Sequence, residues 1–272
     1  MAYPTVDKPY GLKPINLIGG QVFAGSTRMF PIASGYATSI FYGDLVTFTT
    51  DGTIVKATTT NGTSAGAGIV GVFLGCEYSS TGGPIYGKNR FQYWLGGTSA
   101  SDAVAYVCDD PDAIFQAAVC SSGTTLAYAG QWAVGKNIAL LQNTGSTSTG
   151  DSAVAVGGAA PAATTYAMRV IGLVPASAVA TTASGTTSGS STTVTLASAN
   201  TVITPYMSVS GSGIAAGNYV ASVTNSTTIV LQVAVNLASA TALTFSGSPE
   251  VLVKFNQGWH SYYSSTGATV AT

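Results

Sequence analysis

Charge is the scarcest thing in this chain. Nine Lys and Arg and ten Asp and Glu make up only 7% of its 272 residues, where ordinary soluble domains carry about 25%. The balance is -1, so no field of either sign draws in phosphates or anionic lipid. Nucleic acid and charged membrane surfaces are therefore poor partners. Long hydrophobic runs are lacking as well: Gly, Ser, Thr and Pro break every apolar stretch before the ~18 residues that a membrane-spanning helix needs. The opening MAYPTVDKPYG has no apolar core of the kind a secretory signal carries, and the expectation is a chain made in a cytosol. Solubility must rest on Ser, Thr, Asn and Gly.

Histidine is nearly absent. With His260 alone, a Ser-His-Asp triad requires one imidazole to meet both a nucleophile and an orienting acid. The blander reading packs His260 against Trp259 and Tyr262 in NQGWHSYY. Cys76, Cys108 and Cys120 are an odd number at none of the spacings of a zinc knuckle or redox pair, so buried free thiols are expected. Pairing of Cys108 with Cys120 stays open if their segments are adjacent strands. Gly211-Ser212-Gly213 has no following helix and reads as a turn, not a dinucleotide fingerprint. Glycoside hydrolysis needs two carboxylates facing each other across a sugar, and nothing marks Asp44 or Glu77 as the partner of an acid elsewhere. No catalytic residue, cofactor or metal is expected, and the chain is not read as an enzyme.

What is present is strand pattern. Almost every segment alternates or forms a short apolar run bounded by Gly, Asn, Asp or Ser, with β-branched and aromatic residues prominent. In FYGDLVTFTTDGTIVKATTT two alternating runs flank Asp51-Gly52, a pair that tolerates φ > 0 and closes a hairpin. IVGVFLGCEY, FQYWL, AVAYVC, AIFQAAV, NIALLQ and YAMRVIGLV continue at the cadence of a barrel or sandwich. Phe91, Tyr93 and Trp94 are either core residues or a stacking platform for bases or sugars.

The sharpest boundary is electrostatic. Residues 170–249, eighty positions, carry no Asp, Glu, Lys or Arg. Within them ATTASGTTSGSS reads as a flexible leading linker, and TTVTLAS, YMSVSG, NYVASVT, TTIVLQV and TALTFSG as five short strands, with Asn225-Ser226 a tight turn. The expected architecture is all-β: an antiparallel barrel or sandwich main domain of residues 1–175 plus 249–272, with an extended N-terminal arm and a second small β module, 176–248, inserted near the C-terminus. If VIGLV and VLVKF neighbour each other, the module grows from a loop, where insertion costs little closure entropy.

Three carboxylates stand within four positions in VCDDPDAIFQAAV: Asp109, Asp110 and Asp112. A Ca²⁺ loop would add a glycine for the bend and a terminal Glu, and both are missing. A structural turn fits better. Pro111 fixes φ near -65° at the second turn position, and the Asp110 side chain can bond the backbone two residues on.

FPIASGYATSIFYGDLVTF, IVGVFLGCEYSS, AYVCDDPDAIFQA, RVIGLV and EVLVKFNQGWH, in that order, resemble structural proteins of tailed bacteriophages, the head decoration or cement proteins. The resemblance covers residues 10–175 and 250–260. In those proteins the Asp-Asp-Pro-Asp turn precedes an apolar strand ending in an acid or amide, here Gln116. It implies a non-enzymatic virion protein on the capsid exterior whose partner is the major capsid protein, stabilising the expanded lattice, and often a homo-trimer. The contact is expected from the N-terminal arm, with Tyr3, Pro4, Tyr10, Leu12 and Pro14 laid across a neighbour or added to its sheet edge. The inserted module is expected outside, with weak glycan binding through hydroxyls and exposed Tyr206 or Tyr219. The alternative is a tail- or fibre-associated adhesin for host surface glycans.

Overall fold

A computed structural model describes residues 6–58, 68–79, 88–163 and 166–263 of the chain. The chain is all-β: its described residues form strands in three sheets, with three single-turn 3₁₀ segments. Among the described residues no helix is long and apolar enough to cross a membrane. Each sheet curls until its ends meet.

The first sheet runs in the order Arg28–Pro31, Val104–Cys108, Ile69–Tyr78, Leu45–Phe48, Ile54–Lys56, with Asn89–Phe91 added to the far end of Ile69–Tyr78. A parallel bridge between Ile32 and Ile54 joins its two ends. Val46, Ile54, Val70, Phe73, Trp94 and Val107 fill the barrel so formed. The expected hairpin is here: Leu45–Phe48 pairs with Ile54–Lys56 around Gly52, whose φ is 75°.

The second barrel is built on the long strand Ala113–Ser122. Glu250–Phe255, Met168–Leu173 and Asn137–Ile138 follow on one flank, and Ala155–Gly157 then Leu140–Leu141 on the other. Because 137–138 and 140–141 are two halves of one segment, the sheet closes on itself. Met168–Leu173 and Glu250–Phe255 are antiparallel neighbours, the relation expected for VIGLV and VLVKF. Phe115, Val119, Leu140, Val156, Val170 and Val253 form its interior. Residues 1–175 plus 249–272, grouped as one domain in the sequence reading, thus contain two barrels, and Leu45, Ile69, Val72 and Cys108 of the first also pack into the core of the second.

The third barrel lies within 179–247. Its order is Ser208–Gly211, Thr241–Gly247, Val179–Thr186, Ser191–Leu196, Thr228–Val235, Val220–Asn225. A Ser208 to Tyr219 bridge, with Val220 N–H on Met207 O at 3.0 Å, closes it. Strict alternation drives this sheet: in TALTFSG, Leu243, Phe245 and Gly247 turn inward while Thr and Ser face water. The five strands read from sequence are all present. The stretch taken as a flexible linker is a sixth, Val179–Thr186, paired with Thr241–Gly247 over seven residues. Composition misled there, because its small residues alternate and fit between two partner strands.

The N-terminal arm also needs correction. Pro14 lies in the strand Lys13–Leu17, which pairs with the protein's own Ala113–Gln116 segment. Leu12 is fully buried in the second core, and the Tyr10 hydroxyl donates to Glu250. These three residues serve the chain's own fold and are not free to cross a neighbour; Tyr3 and Pro4 lie outside the described residues. The apolar character of Leu12 is the reason: it adds to a core that its own chain supplies.

Closure makes a testable demand on Gly157. Its φ is 131°, and a Cβ there would stand 2.0 Å from the Cys120 carbonyl oxygen, inside the parallel pairing that completes the second barrel. Gly157→Ala should lower the unfolding free energy by about 3 kcal/mol or more, read by urea denaturation. Gly189→Ala, at positive φ but in open space, should cost only about 1 kcal/mol.

Candidate functional site

The aspartate turn is a corner between barrels. Cys108 ends a strand of the first and Ala113 begins the central strand of the second. Asp112 N–H donates to Asp110 Oδ1 at 2.8 Å and Ala113 N–H to Asp110 O at 3.1 Å, the side-chain bond and turn anticipated from Pro111. The flanking carboxylates reach outward. Asp109 is buried, receives Arg28 Nε at 2.9 Å and accepts from the Tyr262 hydroxyl at 2.6 Å. Asp112 pairs with Lys254 and accepts from Tyr263; these two contacts hold its carboxyl below the ordinary range. The cluster therefore ties the N-terminal, central and C-terminal segments at one point. Among the described residues no group of three or more His, Cys, Asp or Glu is arranged to hold a metal ion.

The other carboxylates considered from sequence are also held in place. Asp44 is fully buried between Lys56 Nζ at 2.8 Å, Ser152 Oγ at 2.6 Å and Phe41 N–H at 2.9 Å. Glu77 accepts from the Tyr106 hydroxyl and lies 3.6 Å from Arg90 Nε. The three cysteines are free and buried, and burial pushes Cys76 and Cys108 up to about 12 and Cys120 up to about 11. Trp94 is fully buried, Phe91 stacks on Tyr78 and Tyr93 on Phe41, so most of the aromatic trio belongs to the first barrel's packing.

The module's tyrosines are not exposed ligands for sugars. Tyr206 is buried, and Tyr219 stacks face to face on Trp132 of the second barrel at 3.6 Å. Trp132 Nε1 donates to Tyr206 O at 2.9 Å, and Gly130 approaches Ser208 so closely that a Cβ would lie 2.1 Å from its hydroxyl. Both tyrosines are used up in seating the module.

A cleft of about 710 Å³ lies on the first barrel, bordered by Lys13 and Asp151 from neighbouring segments. Arg90 donates to the Tyr106 hydroxyl at 3.1 Å and lies over its ring, 5.0 Å from the centroid. Across the cleft Gln92 Nε2 donates to Asp151 Oδ1 at 2.8 Å. Phe91 contributes an apolar wall, and burial, then the charge of Asp151, raises the Tyr42 phenol above its ordinary range. No family model, curated protein or solved structure matches the chain. The cleft and the corner are thus judged on their chemistry alone. Sequence reasoning missed the cleft because its residues are dispersed from 13 to 151. The usable signal was the rarity of charge: three of its eleven lining residues are charged, against 7% of the chain.

A second exposed feature surrounds the aspartate corner. Ile18 is 50% exposed, Val22 75%, Tyr262 41% and Tyr263 36%. Ile18 N–H donates to Asp112 O, and Ile18 and Tyr263 border one groove of about 460 Å³ with Ile171 and Arg169. These are apolar groups left in water at the tip of the second barrel.

His260 sits behind this corner. It is fully buried, its ring meets the edges of Phe255, Tyr262 and Tyr263, and Nδ1 accepts from Tyr262 N–H at 3.2 Å. Burial lowers its pKa, against an opposing pull from Asp109 and Asp110. The folded ring resists a proton that the unfolded chain accepts near pH 6.5. Folding stability should therefore fall as pH drops below about 6.5, by at most about 1.4 kcal/mol per pH unit, and level off once the folded ring is protonated. Urea midpoints between pH 7.5 and 5 should show this slope, and His260→Gln should flatten it. An unchanged slope in the variant would assign the loss to other groups.

Proposed function

We propose that this protein is a non-enzymatic decoration protein that binds the outer surface of a phage capsid and holds its major capsid protein lattice in the expanded form. The observation that carries this reading is the exposed apolar corner of Ile18, Val22, Tyr262 and Tyr263, which lies at the other end of the strand Glu250–Phe255 from the module. The strand Glu250–Phe255 gives that polarity. Its first residue stands two positions after Ser248, which is bonded to Ala129 and Ser177 at the module's neck. Its last residue packs on His260 beneath the corner. Six residues of strand separate the two ends by about 17 Å. Apolar groups gathered at one tip are a usual mark of a protein contact, and the groove between Ile18 and Tyr263 can receive an anchoring side chain from the partner.

In this reading the corner faces the lattice and the uncharged barrel points away from it. Many copies, each burying on the order of 1,600 Å² of total surface, stabilise the expanded state by mass action because they bind that state and not its precursor. Homo-trimers at local three-fold positions belong to the same proposal through the family resemblance.

Purified protein mixed with expanded and unexpanded heads of the cognate capsid protein should saturate at hundreds of copies on expanded heads only. Ile18→Asp combined with Val22→Asp changes exposed positions, so it should leave the fold intact and weaken binding at least tenfold. A handful of copies at one vertex, or binding to neither particle, would overturn the proposal in favour of a tail-associated adhesin.

A further inference from the structure

We propose that the cleft on the first barrel binds an acidic saccharide. This is independent of the capsid contact, which lies at the corner. Its volume of about 710 Å³ is within the ~300 to 1,000 Å³ typical of small-ligand sites. The lining chemistry narrows the class of ligand.

Two cations meet in it. Lys13 forms no ion pair among the described residues; its Nζ rests 4.3 Å from the Tyr10 ring centroid. Arg90 is largely exposed, yet its guanidinium is oriented by Glu77 on one side and Tyr106 on the other. Pre-orientation of this kind lets the planar fork meet a carboxylate with little further ordering. A multiply charged anion such as a phosphate chain fits poorly, because Asp151 stands in the same cleft. That carboxylate accepts from Gln92 at Oδ1, which leaves Oδ2 open to a ligand hydroxyl. The site thus asks for a single negative charge accompanied by neutral hydroxyl donors.

Aromatic walls complete the match. Phe91 is backed by Tyr78 in a stack of 4.3 Å between centroids, so its position is fixed. Together with Tyr42 and Leu74 in the lining it offers apolar surface, suited to the C–H face of a pyranose. A uronic or sialic acid unit combines all three demands: one carboxylate for Arg90 and Lys13, hydroxyls for Asp151 and Gln92, and an apolar face for Phe91.

The test is calorimetric titration of the full chain with sialyllactose and with trigalacturonate, each against its neutral counterpart, lactose or galactotriose. At least one acidic sugar should bind tenfold or more tightly than its neutral counterpart. Arg90→Gln should remove that preference. Thr27→Trp, which fills the cleft while keeping both cations, should weaken binding at least tenfold, and the melting transition of each variant establishes that it folds. The proposal is overturned if neither acidic sugar binds, if neutral sugars bind equally well, or if folded Thr27→Trp binds as the parent does. Equal binding of a hexaglutamate peptide would also overturn it, replacing the saccharide by an acidic peptide.

Discussion

The structure depends on one constraint: the two ends of each sheet have to find each other, in a chain with almost no charge to protect an open edge. Sheets usually guard their edges with lysines, inward charges or prolines, and here residues 170–249 contain no charge at all. Closure removes the need. Each of the three sheets meets itself, by the Ile32–Ile54 bridge, by the continuous segment 137–141, and by the Ser208–Tyr219 bridge. A Ser- and Thr-rich surface then suffices for solubility, because the backbone groups that would recruit a stray strand are already bonded.

The few charges that remain are concentrated where barrels meet. Asp44 joins Lys56 to Ser152, Asp109 joins Arg28 to Tyr262, Asp112 joins Lys254 to Tyr263, and buried Glu250 accepts from both Tyr10 and Gln116. Such contacts contribute little when exposed, as at Asp112, but a buried carboxylate deprived of its partners is costly, so Asp44, Asp109 and Glu250 each fix one mutual orientation. The neck of the third barrel uses hydroxyls for the same purpose. Ser177 and Ser248 bond each other at 2.9 Å, and Ser248 exchanges two backbone bonds with Ala129. With Trp132 stacked on Tyr219, the inserted barrel is seated, not tethered.

This division of labour explains what the sequence revealed. Alternation is local, so the hairpin at Gly52, the strands of the inserted module and the Asp110-Pro111 turn were legible. Closure is non-local and rests on one or two bonds between residues such as Ile32 and Ile54, which no periodicity encodes. That is why two barrels read as one domain. Val179–Thr186 and Ala155–Gly157 were missed for a related reason: their Ala, Gly and Ser have weak strand preference, and their partners, not their composition, decide their state. Gly157 shows the limit of reading glycine as loop, since it is required where the backbone of Cys120 passes within reach of a Cβ.

The two candidate surfaces follow from the same economy of charge. Where closure and the carboxylate joints have satisfied the backbone and the buried acids, a charge left without an opposite charge stands out, and so does an apolar side chain left in water. Lys13 and Asp151, in no ion pair among the described residues, are the first kind and line one cleft; Ile18 and Val22 are the second. Neither group is needed by the core beneath it: Lys13 faces outward from a strand whose register is set by Pro14 to Leu17, and Val22 lies beyond the turn that follows that strand. Residues that the fold does not use are the ones free to be used on something else.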